Sequence, residues 1–537
     1  MSSQRRYFVF VPVFLVSCAL IGGAFGPGAR AADQKSNTPS DEDLKASMEA
    51  FTKIYDVVDE NLADKLSADK GIYKGAIPGM LRTLDPHSNF FDPKEFAAMR
   101  EDQQGKYYGV GMQIGPQPRT GKTMVIHPFG GSPAYKAGLR PGDLLMEVND
   151  KRVDNLNTSQ VADLLRGPKG TAVQIVVRRE GTDEPITFNV IRGEIPRDSV
   201  ERAFWVKPGI AYMKIEQFSA ESTFKEVEDN LNRLGEQNIK GLVLDLRDNP
   251  GGLLTEGVAV AGRWLDRGQV VVSHKGRAYS EKPYLARGSQ YGESYSMVVL
   301  VDRMSASAAE IVAGALQDHD RAWILGETTF GKGLVQTVYP LSDNTGLALT
   351  TQHYYTPSGR LIQRDYSNIS FLDYYYGKRA EQKDPLDVKQ TDIGRVVYGG
   401  GGITPDEKYE APKPDRFEMD ILRKNGLFNF TAQYFGTHST KLPKNWVPTE
   451  AVLEQFHDYM MKQGVDFTEA DWTRDHSWVR DQLRTEMYVT AFSYEDSEMV
   501  AEEQDPEVAA AVAAMPKAAD LLARSKERNE KQRASLR

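Results

Sequence analysis

Met297-Val298-Val299-Leu300-Val301-Asp302-Arg303-Met304-Ser305-Ala306-Ser307-Ala308-Ala309-Glu310 decides the fold. Met297–Val301 reads as a buried strand, Asp302–Ser307 as a turn and Ala308–Gln317 as a helix. The same order occurs upstream, where strand Gly241–Leu246 runs through Arg247-Asp248-Asn249-Pro250-Gly251-Gly252 into a helix over Leu253–Leu265. Downstream, a third strand over Trp323–Gly326 leads to Thr329-Phe330-Gly331-Lys332-Gly333. Strands alternating with helices between about Gly193 and Asp406 predict an α/β layered core. Two of these strands run on to Ser307 and to Lys332, a hydroxyl nucleophile and an amine able to take its proton.

Serine attacks only when a base removes its proton, and lysine is a base only when neutral. Burial away from carboxylates is the usual route to a neutral lysine. Lys332 stands between two glycines and apolar strands, with no acid nearer in sequence than Glu327. Ser307 precedes a helix, where capping is the ordinary role of a serine. A helix N-terminus also offers free N–H groups and a positive dipole end to a developing oxyanion. The Gly251-Gly252 turn opens a second helix in the same way and allows close approach of the backbone. Gln336 follows Lys332 by four residues, on the same side in helix or strand, and an amide there holds an amine without restoring its charge.

Outward from this core, Asp41 to about Phe96 reads as helical, with Phe51, Ile54, Tyr55 and Val58 at helical spacing, before Leu84-Asp85-Pro86-His87-Ser88 breaks the pattern. From about Gly105 to Arg192 short strands and glycine turns take over. Ser132-Pro133-Ala134 opens a short helix, Thr158 is a candidate cap of a helix to Arg166, and Ala172–Arg178 is a strand. With the strand entry Tyr108–Ile114, the turn Gly138-Leu139-Arg140-Pro141-Gly142-Asp143 and the strand Leu144–Asn149 after it, this segment resembles a PDZ domain. PDZ domains capture a C-terminal carboxylate on backbone N–H groups and add the peptide as a strand. The resemblance makes Tyr108, Gly109, Val110 and Gly111 the tail-binding residues; the competing reading is a PDZ-shaped spacer. Past Pro405 the chain turns helical and charged: Ala451–Gln463 and Asp475–Thr490 read as helices, and Ala509–Arg537 ends in a Lys/Arg/Glu-rich stretch that reads as a solvated or frayed helix.

The chain has 537 residues, 40 % of them apolar and 26 % charged, which predicts several globular domains. A formal charge of −9 argues against nucleic-acid binding. Arg5 and Arg6, the apolar run Tyr7–Phe25 and Ala29-Arg30-Ala31 read as a signal peptide cleaved before Ala32, with residues 32 to 40 a disordered polar stretch. A retained membrane anchor and a lipoprotein box at Leu15-Val16-Ser17-Cys18 are the competing readings. Cys18 is the one cysteine, so the mature chain has no disulfide, thiolate nucleophile or Cys-ligated zinc. The expected location is a periplasm or cell envelope. No histidine shows metal-ligand spacing, and no metal or cofactor is expected.

The matching stretches Leu84–Ser88, the PDZ segment, Ile215–Phe218, Asp245–Gly252, Ser305–Ala308, Phe330–Gly333 with Val335-Gln336, Tyr354–Arg360 and Gly402–Asp406 run in order over about residues 45 to 406. In these the chain resembles the carboxyl-terminal processing, or tail-specific, proteases of serine peptidase family S41. The resemblance implies Ser307 as nucleophile, Lys332 as general base and Gln336 as the residue orienting it. It further implies an oxyanion hole from backbone N–H groups around Gly251, Gly252 and Ala308, PDZ capture of substrate tails that often gates the site, and cleavage near the substrate's C-terminus. The family usually has serine where Ala309 stands, a departure of little effect because that hydroxyl is not the nucleophile.

The expected architecture is thus a signal peptide over 1–31, an N-terminal helical region over 32–96 and an inserted PDZ domain over 97–192. An α/β protease core over 193–408 and a helical C-terminal extension over 409–537 of unassigned role complete it. Expected partners are proteins or peptides with free C-termini; an adaptor or activator and a homo-oligomer stay open. The rival reading is a PDZ peptide-binding scaffold with an inactive or gated core, and a third is a small-molecule binder on the same fold. His87 reads as a turn or packing residue rather than half of a Ser-His pair. Ser67-Ala68-Asp69-Lys70, Ser222-Thr223-Phe224-Lys225 and Ser342-Asp343-Asn344 lack the K-T-G of a penicillin-binding site.

Overall fold

Alternation along the core strands dictates a sheet buried on both faces. Leu242, Leu244, Met297, Val299 and Ile324 pack on one side, and Val243, Val298, Leu300 and Leu325 on the other. The computed structural model describes residues 41–535 apart from 65–66, 68, 118–119, 180, 183, 220–221, 289–293, 368 and 377–386. The expected signal peptide, Cys18 and the polar stretch 32–40 lie outside the described residues. The central sheet runs in the order Val200–Lys207, Ile210–Ile215, Gly241–Asp245, Ser296–Val301, Trp323–Gly326 and Glu407–Lys408. Its first pair is antiparallel and the rest are parallel. Helices Thr223–Leu234, Leu254–Arg263 and Ala308–Asp318 cover one face.

The other face is covered by the last helix, Pro506–Ser535, through Val508, Ala511, Val512, Met515 and Ala518. The first half of this helix is core, because a parallel sheet needs an apolar layer on each side. Its charged second half is the solvated part, with an exposed Lys531–Glu527 pair. Two earlier helices of the extension, Glu450–Lys462 and Glu469–Ala491, form a separate apolar cluster around Leu453, Phe456, Val479 and Leu483.

A five-stranded antiparallel sheet lies beside the core, with Gly346–Tyr355 paired to Leu334–Pro340, Val270–Gly276 and Asn89–Phe91. The last of these corrects the all-helical reading of residues 41–96. The Leu84–Ser88 break leads into a strand that locks the N-terminal region onto the protease core, and Phe91 packs there with Phe96, Met99 and Ala348.

The inserted module is a six-stranded sheet in the order Met112–Pro116, Thr123–Pro128, Leu144–Val148, Ala172–Arg178, Ile186–Ile191, with Lys151–Arg152 paired to Leu144–Val148. Its two linkers pair with each other as a ribbon, Lys106–Gly109 against Gly193–Pro196. Helix Pro133–Ala137 opens where expected, capped by Ser132, but Asn157 rather than Thr158 caps Thr158–Leu165, in a reciprocal box with Gln160.

Candidate active site

Ser307 sits where strand Ser296–Val301 turns into helix Ala308–Asp318, at φ 54° and ψ −113°. A non-glycine residue there is strained, and such strain clusters at functional turns. The turn is held from several directions. Asp302 Oδ1 accepts from Met304 N at 3.0 Å and Ser305 N at 2.9 Å, Ser305 Oγ donates to Leu246 O at 2.7 Å, and Ala306 N donates to Asn249 O at 2.9 Å. Ser307 is fully buried, does not cap the helix with its side chain, and its Oγ has no hydrogen-bond partner among the described residues. The hydroxyl is left for something else.

The Arg247–Gly252 turn lies directly against it. A Cβ on Gly251 would stand 2.7 Å from Ser307 Cβ and 2.8 Å from Ala308 N, and one on Gly252 would stand 2.1 Å from Phe218 O. Both glycines have positive φ, 94° and 140°, so both positions demand glycine on two counts. Gly251 N donates to Asn249 Oδ1 at 2.8 Å. Of the three expected oxyanion donors, Gly252 and Ala308 therefore keep N–H groups that donate to nothing among the described residues.

Lys332 is 7 % exposed. Its loop is joined to Ser307 by Glu310, whose Oε2 accepts from Ser307 N at 2.8 Å and Lys332 N at 2.9 Å. Glu310 Oε1 accepts from Gly331 N at 2.7 Å and Thr329 Oγ1 at 2.6 Å. Burial pushes the Glu310 carboxyl up from its usual range, against the pull of these four donors. Tyr354 makes a second tie, its hydroxyl lying 3.1 Å from Ser307 O and bonded to Lys332 O. Sequence reasoning assigned neither residue a role; the spacing Ser307-x-x-Glu310 of a capping box was the signal available for Glu310, and for Tyr354 only its place at the head of the matching stretch Tyr354–Arg360.

Gln336 is fully buried on strand Leu334–Pro340, with Nε2 3.2 Å from Thr350 Oγ1. His87 is brought to this cluster as well. Its Nε2 bonds Tyr374 Oη at 2.9 Å and its Nδ1 bonds Tyr375 Oη at 3.1 Å. Burial, then the charges of Lys332 and Arg364, hold its imidazole well below the usual range. With both nitrogens occupied, His87 packs the site as a neutral ring. Arg364 lies between the rings of Phe330 and Tyr374, 3.9 Å from each centroid, beside the Lys332 loop.

In the inserted module, Tyr108 and Gly109 end the linker ribbon. Val110 O accepts from Ala134 N at 2.8 Å, and Gly111 O accepts from Ser132 Oγ at 2.7 Å. This short turn feeds Met112–Pro116, an edge strand paired on one side only. No helix of the described residues is long and apolar enough to cross a membrane.

The profile of Peptidase family S41 matches residues 209–368, and a PDZ domain profile matches residues 130–179. A carboxy-terminal-processing protease of Bartonella bacilliformis is 32 % identical over 419 residues, 77 % of this chain and 85 % of that protein. A carboxyl-terminal-processing protease of Synechocystis sp. is 38 % identical over 293 residues, 54 % of this chain and 68 % of that protein. The solved structure of a photosystem II D1 C-terminal processing protease is 32 % identical, covering 59 % of this chain and 90 % of that chain at a TM-score of 0.34. The identity to the Bartonella bacilliformis protease, over 85 % of its length, is decisive, and the chain belongs to the carboxy-terminal processing serine proteases of peptidase family S41, with a PDZ domain ahead of its protease domain.

Proposed function

We propose that this protein is an exported endopeptidase that cleaves protein substrates near their C-termini through a Ser307/Lys332 dyad, its PDZ domain receiving the substrate tail. The observation that carries the reading is Ser307 itself: a buried hydroxyl without a partner among the described residues, on a strained turn at a helix N-terminus and against the Gly251-Gly252 turn. Ser307 Oγ attacks the peptide carbonyl while Lys332 takes its proton, with Gln336 orienting the amine. The oxyanion meets the N–H groups of Gly252 and Ala308; losing one such donor typically costs on the order of 10²–10³ in rate. The lysine returns the proton to the leaving amine, and water activated by the same lysine frees the acyl-enzyme.

Edge strand Met112–Pro116 supports tail binding by strand addition, with Tyr108–Gly111 as the carboxylate loop. The N-terminal segment supports export to a periplasm or cell envelope. Helix Asp41–Asn61 buries none of its residues and exposes Leu44, Met48, Phe51 and Val58 along one face, which supports a homo-oligomer. Sedimentation of the mature chain against a Met48→Glu, Phe51→Glu variant tests that point, with the variant expected as monomer.

Digestion of β-casein by the mature chain and by its Ser307→Ala variant tests the activity. Cleavage by the first alone is expected, and cleavage by both sinks the nucleophile assignment. Cleavage by neither points to a gated core or a peptide-binding scaffold; an added tail peptide restores activity only in the gated case.

A further inference from the structure

Gln336 is fully buried, and the two ends of its amide are treated unequally. Nε2 faces Thr350 Oγ1 at 3.2 Å, whereas Oε1 has no partner among the described residues. Thr350 Oγ1 in turn lies 3.0 Å from Asp85 Oδ1. A carboxylate only accepts, so the single hydroxyl proton of Thr350 goes to Asp85. The threonine oxygen then has only lone pairs left for its other neighbour, and that neighbour must be the donating end of the glutamine amide. The direction of the Gln336 amide is therefore set from Asp85.

Asp85 is itself held still. Its Oδ1 accepts from His87 N and Ser88 N, both at 2.8 Å, and its Oδ2 accepts from Ser88 Oγ at 2.5 Å. Thr350 N donates to Ser88 Oγ at 3.0 Å, so the Leu84–Ser88 turn and strand Gly346–Tyr355 are joined through both backbone and side chain of one residue. His87, from the same turn, fills the space near Lys332 without adding charge.

We propose that Asp85 and Thr350 are positioning residues for hydrolysis, holding Gln336 Oε1 as a fixed acceptor for the Lys332 amine. This rests on the Ser307/Lys332/Gln336 reading above. A neutral amine has two N–H donors and one lone pair. When Gln336 Oε1 takes an N–H, the lone pair is free to turn to Ser307. A flipped amide presents N–H₂ instead, claims the lone pair and leaves Ser307 without its base. The N-terminal turn thus belongs to the reacting site through two hydrogen bonds, although it lies far from the dyad in sequence.

The test is steady-state hydrolysis of a fluorogenic peptide with a free C-terminus. Thr350→Val keeps the volume and β-branching that the strand wants but removes the relay. Its kcat is expected to fall roughly 10- to 100-fold, within the range a positioned base supplies, with KM within about twofold and Thr350→Ser restoring most of the rate. Asp85→Asn lets the threonine proton turn, and is expected to match Thr350→Val; it carries the test alone should Thr350→Val lose its cooperative melting transition. Adding Thr350→Val to Gln336→Ala should cost nothing further. A wild-type kcat in both Thr350→Val and Asp85→Asn, or full additivity with Gln336→Ala, overturns the proposal. A wild-type rate in Gln336→Ala overturns the underlying assignment of Gln336 instead.

Discussion

Glu310 has four donors on its two carboxylate oxygens and no exposure to solvent. Two of those donors are the backbone N–H groups of Ser307 and Lys332, so this side chain sets the separation of the proposed dyad. Glu310→Gln places an amide N–H₂ against backbone N–H groups, which only donate. We expect a loss of about 2 kcal/mol or more in stability, the usual cost of buried groups left unsatisfied, and a larger proportional loss of kcat/KM than of melting temperature. Urea titration and peptide hydrolysis check the two. Gly252→Ala is a second residue-scale case, because a methyl there meets Phe218 O and the backbone has φ 140°. Expected is a drop of at least about 10²-fold in kcat/KM, the scale of one lost oxyanion donor, whereas Ala309→Ser should leave the rate within about twofold of the original.

Among elements, the extension's helix Tyr494–Glu503, the start of Pro506–Ser535 and Asp505 between them carry acids that answer Arg247. Its guanidinium, immediately before the Gly251-Gly252 turn, bonds Glu502 at 3.4 Å, Asp505 at 2.8 Å and Glu507 at 2.8 Å, and Asp245 of the core strand at 2.6 Å. Burial first, opposed by the Arg247 charge, raises the Glu507 carboxyl to about 7. Arg247→Met leaves these carboxylates buried without their cation. The expected cost is about 3–5 kcal/mol, together with a loss of activity, read by urea unfolding and hydrolysis at pH 7.5. An unchanged unfolding midpoint would show that the network is not part of the folded core's stability.

Across the whole molecule, the same extension holds the PDZ domain. His127 stacks on Tyr494 with centroids 3.7 Å apart and planes at 5°, and Gly130 N donates to Glu495 Oε1 at 3.3 Å. Burial lowers the His127 pKa to about 4, against the opposing pull of Glu498 and Glu495. The unfolded chain therefore binds a proton between pH 6.5 and 4 that the folded chain refuses. This contribution is intact above pH 6.5 and is lost as pH falls toward 4, by about 2 kcal/mol at pH 5. His127→Phe keeps an aromatic stack without the titration. Its melting temperature is expected to fall less between pH 7 and pH 5 than that of the parent chain, and an equal fall in both would exclude His127 as the source.

What the sequence determined by itself was whatever is carried by local pattern. Strands near Gly241, Met297 and Trp323 and helix Ala308–Asp318 were legible because a buried parallel strand and the turn after it are written in consecutive residues. Ser307, Lys332, Gln336 and the glycine turn stood out as candidates because hydroxyl, amine, amide and glycine each have a narrow chemical use. Tertiary structure alone decided what joins them: Glu310 and Tyr354 between the two loops, Thr350 and Asp85 behind Gln336, and helix Pro506–Ser535 on the second face of the sheet. The physical reason is the same in each case. A hydrogen bond or an apolar contact between segments far apart in the chain leaves no period and no spacing in the sequence, and exists only once the sheet has brought those segments together.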